Sequence, residues 1–186
     1  MQIPNEILTK LSENKMAPII GNPKGKNIIY EFFDYNCGHC RGQEIVFEEL
    51  LQKNKDIKIV LKSFPIFQVS HIPALAIIAS GIQGKAFEMN KALFENPLLP
   101  MNYSEISTEK LNQSITEKIL KIAQKHGIDT QKLIFDMQSE NVYKEISQTR
   151  EIAHKLGIHG TPALIINNEI FPGLMEIDEI SSIITK

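Results

Sequence analysis

The chain has 186 residues, 42% of them apolar and 23% charged, with a formal net charge of −2. That balance supports one hydrophobic core; it excludes the basic surface of a nucleic-acid binder and the like-charge runs of a membrane-surface patch or acidic tail. No apolar stretch approaches the roughly 20 residues of a membrane span.

The N-terminal "MQIPNEILTKLSENKMAPII" lacks the apolar core of a signal peptide. It fits either a cytosolic protein or a mature exported form whose leader has been replaced by Met. Within it, "NEILTKLSENK" reads as one short amphipathic helix. "IIGNPKGK" then reads as a short edge strand and a turn built on Asn22, Pro23 and Gly25. "NIIYEFFDY", Asn27 to Tyr35, is nearly all apolar or aromatic, as expected of a central strand covered on both faces.

A helical pattern follows Cys40. Ile45, Val46, Phe47, Leu50 and Leu51 form its apolar stripe, with Glu44, Glu48, Glu49 and Lys53 on the other side. "IKIVLKSF", Ile57 to Phe64, is the next strand, so the opening is strand–helix–strand, a unit that normally has parallel strands.

From about Ser70 to Leu156 the pattern is helical. "ALAIIAS" and "KAFEMNKALF" are two helices, and Leu93 to Glu105 is a Pro-broken loop. Ser114 and Glu117 have capping-box spacing before "KILKIAQKH", and Gly127 suits that helix's end. Asp129 caps "TQKLIFDM". Val142, Ile146, Thr149, Ala153 and Leu156 mark one face of a further helix, with Gly157 beyond it. Strand character returns at Ala163 to Ile166. Asn167–Asn168 is turn chemistry, and Glu169 to Phe171 begins an antiparallel return. Glu176 to Thr185 is a last amphipathic helix. The expected order is βαβ, a helical block, then ββα.

Both cysteines of the chain, Cys37 and Cys40, fall where the central strand gives way to a helix. So close a pair closes too short a loop to stabilise a fold. The first helical turn has N–H groups without partners and the positive end of the dipole, which favours a thiolate at Cys37. His39 adds a donor or, when protonated, a positive charge, and Gly38 keeps the approach to the sulfur open. Cys40, one turn on, can close a bridge to Cys37 and resolve a mixed disulfide. Structural zinc is the competing use of such a pair, but zinc takes four ligands. There is no second C-x-x-C, and His154 and His159 lie far along the chain with Gly157 between them.

Glu31 interrupts the apolar strand. A carboxyl there is either protonated and able to exchange a proton with Cys40, or it points to an edge or pairs with a lysine such as Lys58 or Lys62. Pro162 precedes a strand, where it cannot donate to a ladder. A cis Thr161–Pro162 bond accounts for it and leaves the Thr161 backbone free for an extended substrate; an ordinary trans bond is the alternative.

Taken together, "EFFDYNCGHC", the interposed helices and "GIHGTPALIINNEIFPG" resemble the DsbA-like branch of the thioredoxin superfamily, from about Ile19 onward. The resemblance implies an α/β thioredoxin fold with residues 70–156 as a helical insertion, 19–69 and 157–186 as the thioredoxin-like domain and 1–18 as an N-terminal segment. It makes Cys37 the attacking and Cys40 the resolving cysteine, Glu31 the buried acid, and Pro162 the cis-proline preceded by Thr161. It implies a thiol:disulfide oxidoreductase in the periplasm or at the cell surface, which favours the missing-leader explanation. Its partners would be reduced or unfolded polypeptides and a redox protein that recycles the pair, with no cofactor and no metal.

The sequence departs from that family in two places. Gly38–His39 stands where DsbA oxidases have Pro–His, and Thr161 is commoner in isomerase and reductase relatives. A disulfide isomerase or reductase of the same fold is therefore an alternative. Asn36 stands where thioredoxin and eukaryotic isomerases carry Trp, which argues against those branches. Few residues precede Ile19, too few for a dimerisation domain, so a monomer is expected, with weak self-association through the N-terminal helix as the alternative. A thioredoxin-fold chaperone that binds peptides at Thr161–Pro162 is the non-enzymatic reading.

Overall fold

The structure is a computed structural model and describes residues 3–100 and 102–184. Its centre is the parallel pair β2 (Asn27–Phe33) and β3 (Ile57–Ser63), with Ile29 opposite Ile59 and Phe33 opposite Ser63. β1 (Ile19–Gly21) lies antiparallel on the outer side of β3. β4 (Ala163–Ile166) lies antiparallel on the other side of β2, and β5 (Glu169–Pro172) returns along β4. The sheet order is β1-β3-β2-β4-β5. The β4–β5 turn has φ of 49° at Asn167 and 64° at Asn168, as a tight two-residue hairpin demands of both residues.

Alternation along β2 divides the core. Tyr30 and Phe32 point to one face, where α1 (Asn5–Glu13) contributes Ile7 and Leu11 and α7 (Glu140–Lys155) contributes Ile152 and Ala153. The apolar side of α1 is thus used inside the chain. Ile29 and Phe33 point to the other face, toward α2 (Gly38–Lys53) and α8 (Ile177–Ile184). The same core continues into α3 (His71–Ile82), α4 (Ala86–Glu95), α5 (Thr108–Lys125) and α6 (Thr130–Met137). α3 is buried from Pro73 through Ser80, which is why it is apolar on every side. This is the α/β order that the sequence predicts, βαβ and ββα around a run of helices. Thr185, the last residue of the predicted final helix, lies outside the described residues, as does Met101 of the predicted loop.

Two local expectations are corrected. α5 starts at Thr108, not after Ser114: Ser107 is its cap, accepting from the Lys110 N–H at 3.4 Å. The apolar series Leu111, Ile115, Ile119, Ala123 carries the helix back past Ser114 and Glu117, which lie in its interior. On α2 the stripe is rotated: Ile45 is 68% exposed, while Glu44 is buried with Cys40, Gln43, Phe47 and Leu50. Those five positions follow the helical spacing set by Cys40, and Ile45 falls on the opposite side.

Candidate active site

The chain leaves β2 at Phe33 and enters α2 at Gly38, so Cys37 occupies the N-cap position, with φ −86° and ψ 120°. Its N–H donates to the Asp34 carbonyl at 3.1 Å, and its carbonyl accepts the Arg41 N–H at 3.2 Å. Both thiols are free. Cys37 is 8% exposed and Cys40 is fully buried. Gly38 and His39 between them are exposed, and the space beside the Gly38 Cα is open. Burial pushes the Cys40 thiol well up, and the Glu31 carboxyl pushes it further; the Asp34 backbone and the Thr161 hydroxyl pull the other way.

Glu31 is buried on the cysteine side of β2, and neither of its oxygens has a hydrogen-bond partner among the described residues. Its pKa is held well above the usual carboxyl value, first by burial and then by the neighbouring Glu44 and Cys37. The pairing with Lys58 or Lys62 is not formed. Leu61, not Lys62, stands opposite Glu31 in the β2–β3 register, so Lys62 projects to the other face, where it meets Glu145 at 2.5 Å. Glu44 is the second buried carboxyl of the site. It accepts from Asn90 Nδ2 at 2.7 Å, and the Tyr35 hydroxyl donates to Asn90 Oδ1 at 2.8 Å. Burial lifts Glu44 to about 7, although the Asn90 bond and Lys91 oppose the rise.

The Thr161–Pro162 bond is cis. Cys37 Sγ donates to the Thr161 carbonyl at 3.3 Å, so the loop sits against the cysteine as expected, but that carbonyl is engaged rather than free. The Thr161 hydroxyl has no formed hydrogen bond, yet it lies near enough to favour the Cys40 thiolate. Beside this loop runs a groove of about 410 Å³, lined by Leu156, His159, Pro162, Ile170 and Pro172 among others. The Pro162 carbonyl accepts from the Gly173 N–H at 2.8 Å, and Gln43 on α2 exchanges two hydrogen bonds with the Met175 backbone. The segment before α8 is thereby tied to the cysteine helix.

The structure thus brings Cys37, Cys40, Glu31, Thr161 and Pro162 together, with Gly38 and His39 on the outer surface. Sequence reasoning missed Asp34, Gln43, Glu44 and Asn90. A signal existed for two of them. Asp34 lies two residues before Asn36, the spacing at which an Asp side chain caps a turn, and its Oδ1 accepts the Asn36 N–H at 2.7 Å. Glu44 is one helical turn beyond Cys40 and so shares its face. No group of three or more potential metal ligands occurs among the described residues.

A twisted sheet with a two-cysteine helix start facing a proline loop defines a thioredoxin-type redox protein. A family model described as thioredoxin matches residues 13–186. The thiol:disulfide interchange protein DsbA of Bordetella parapertussis is 26% identical over 153 residues, covering 82% of this chain and 69% of its own. A Haemophilus influenzae protein of no stated function is 25% identical over 138 residues, and the match spans 74% of this chain and 55% of that one. Among solved structures, a thioredoxin-like oxidoreductase from Silicibacter pomeroyi superposes with a TM-score of 0.78 at 29% identity over 94% of each chain. The chain belongs to the thioredoxin family, on its DsbA-like disulfide oxidoreductase branch. Among the described residues no helix is long and apolar enough to cross a membrane.

Proposed function

We propose that this chain makes or exchanges disulfide bonds in exported polypeptides through Cys37-Gly38-His39-Cys40. The observation that carries the reading is the asymmetry of the pair. Cys37 sits at the helix mouth against the Thr161 carbonyl, and Cys40 is fully buried behind it.

In the oxidising direction a substrate thiolate attacks Cys37 Sγ of the bridged pair. The Cys37–Cys40 bond breaks, and Cys40 leaves with the electron pair. A buried thiolate is costly, and the protonated Glu31 supplies its proton. A second substrate thiolate then attacks the substrate sulfur of the mixed disulfide and expels Cys37 as the leaving thiolate. The substrate gains a disulfide and the protein holds two reduced cysteines, which a redox partner reoxidises. In the reducing or shuffling direction the same steps run backward, with Glu31 taking the Cys40 proton. The bridged Cys37 carries no S–H, so in the oxidised protein the Thr161 carbonyl is released and, with the apolar groove beside it, is offered to an extended polypeptide, recognition that needs little sequence preference. Export of the chain is inferred from its likeness to DsbA.

The test mixes the reduced protein with an unfolded polypeptide that carries a disulfide, so that the Cys37 thiolate attacks the substrate bridge and one substrate sulfur leaves as thiolate. Cys40→Ser should accumulate a mixed disulfide through Cys37, and Cys37→Ser should form none. A wild type that traps and exchanges no disulfide, with suppression of polypeptide aggregation kept in full by Cys37→Ser, would remove the enzymatic reading and leave the peptide-binding chaperone. The reduction potential against glutathione separates oxidase from isomerase or reductase, since about 30 mV corresponds to about 1.4 kcal/mol.

A further inference from the structure

α4 turns one amide into the core. Asn90 is fully buried on the face of that helix that also buries Met89, Leu93 and Phe94. A buried amide is costly unless its polar ends are paired, and both ends of this one are. Nδ2 donates to Glu44 Oε2 at 2.7 Å, and Oδ1 accepts from the Tyr35 hydroxyl at 2.8 Å. Tyr35 is itself held: its ring stands edge-on to Phe33 with centroids 5.0 Å apart, and its centroid is 4.6 Å from that of Phe94 on α4. The chain Tyr35–Asn90–Glu44 therefore ties the connection that leads to Cys37, the helical block and the cysteine helix to one another.

Glu44 lies one helical turn beyond Cys40 on the same face of α2, and its charge tightens the hold of Glu31 on its proton. That charge is contested. Burial opposes it, as do Glu48 on α2 and Glu95 on α4. Asn90 is the first of the groups that favour it, ahead of Lys91. Lys91 is the weaker support, because its side chain is 40% exposed and divided between Glu48 at 2.7 Å and Glu95 at 3.6 Å. The Asn90 N–H is buried and directed at the carboxyl, so solvent does not screen it.

We propose that Asn90 is a positioning residue for disulfide exchange: through it the helix α4 holds Glu44 as a charged acceptor and so sets the charge that the proton-transferring Glu31 faces. The proposal rests on Glu31 exchanging its proton with Cys40, as the proposed function has it. Without the Asn90 donor, Glu44 keeps its proton to higher pH. Over that interval Glu31 meets a neutral neighbour where the wild type gives it a charged one. A residue that only packed α4 against α2 would leave the pH dependence where it was.

The experiment follows the Glu44 carboxyl and the Asn90 side-chain amide by NMR through neutral pH in the reduced full-length protein, with Glu44→Gln to assign the carboxyl signal. It is paired with stopped-flow release of the mixed disulfide that glutathione disulfide forms at Cys37. In that release Cys40 gives its proton to Glu31, attacks Cys37 Sγ and expels glutathione as thiolate. In the wild type the amide and the carboxyl should titrate together at about 7, and the release rate should show a step at the same midpoint. Asn90→Leu should move the carboxyl midpoint and the step upward together by about one to two pH units, the effect of losing one hydrogen bond to a charged group. Glu31→Gln should abolish the step while the Glu44 carboxyl still titrates. A wild-type amide signal that ignores the Glu44 midpoint would overturn the role, whether or not Asn90→Leu folds. So would a step that stays in place in Asn90→Leu while exchange itself is intact, and that result would leave the proposed function standing. A wild type that forms and releases no mixed disulfide would instead defeat the proposed function and this role with it.

Discussion

Two glutamates lie buried on opposite faces of the same sheet, and they are treated in opposite ways. On the face of α1 and α7, Glu145 meets Lys62 Nζ at 2.5 Å and Thr149 Oγ1 at 3.3 Å, and Asn14 Nδ2 donates to its other oxygen. On the cysteine face, Glu31 has no partner at all among the described residues. A carboxyl with several donors ties its neighbours together and serves the fold. A carboxyl stripped of water and given no donor is held neutral, so its proton is available to a neighbour. Under the proposed mechanism, the difference separates an acid that holds elements together from one that transfers a proton beside Cys40.

The largest effect is expected where the structural pair is broken. Burial pulls the Lys62 pKa down against the opposing pull of Glu145, so the pair is tightly balanced. Lys62→Met leaves Glu145 buried without its counter-charge and should cost about 3–5 kcal/mol in urea unfolding, while replacing both residues with apolar ones should recover most of it. Glu49→Gln is the control. Its partner Lys53 also lies at 2.5 Å, but the two side chains are 64% and 52% exposed rather than 0% and 1%. Solvent screening makes such a pair weak, so the urea midpoint should not move. Equal losses from the two substitutions would show that burial is not what distinguishes them.

Glu31→Gln probes the other side of the contrast and should act on rate rather than on folding competence. Without an exchangeable proton beside Cys40, release of the mixed disulfide should slow about 100-fold, the lower range for a positioned acid or base. The fold should gain rather than lose. A carboxyl whose folded pKa is raised contributes stability that is full below its unfolded value and lost as pH rises through the folded one. Gln has no such loss, so the variant should be the more stable protein at pH 8. Stopped-flow trapping of the mixed disulfide and urea titrations at two pH values measure both. An unchanged release rate would make Glu31 a structural residue like Glu145.

The sheet and the cysteine pair were legible because their signals are local. A run of strand formers, a C-x-x-C at its end and a proline before "ALII" each fit within a few residues. The partners of buried polar groups were not legible, because they depend on which face each residue takes. Lys62 was a candidate mate for Glu31 from its position in the next strand, but the parallel register sets Leu61 opposite Glu31. Glu44 looked like a surface acid because Ile45 beside it was counted as core. Asn90 and Ser70 reach the site from helices and loops far away in sequence, and no local pattern marks them. The expected Ser114 cap failed for a related reason: an apolar stripe running back to Leu111 outweighed the local spacing.

Glu44 stands between the two extremes and gives the smallest and most pH-specific effect. It is buried near Glu31 and raises that group's pKa, yet it has one good donor, Asn90, and Lys91 nearby on α4; Glu48 on α2 and Glu95 on α4 oppose them. The outcome is a carboxyl moved from 4.5 to about 7. The pKa is raised on folding, so the contribution of Glu44 to wild-type stability should fall as pH climbs from about 4.5 through about 7 and level off above it. Glu44→Gln keeps an oxygen for Asn90 and removes the ionisation. Its stability should match the wild type near pH 4.5 and exceed it by up to about 3 kcal/mol at pH 8, at roughly 1.4 kcal/mol per pH unit between the two values. The same substitution takes a negative charge away from Glu31 above pH 7, so any inflection of the exchange rate near that pH should disappear with it. Urea midpoints read across pH 4 to 9 decide the matter. A constant offset between the two proteins would mean that Glu44 does not titrate in this range, and it would then belong with Glu145 as a structural acid.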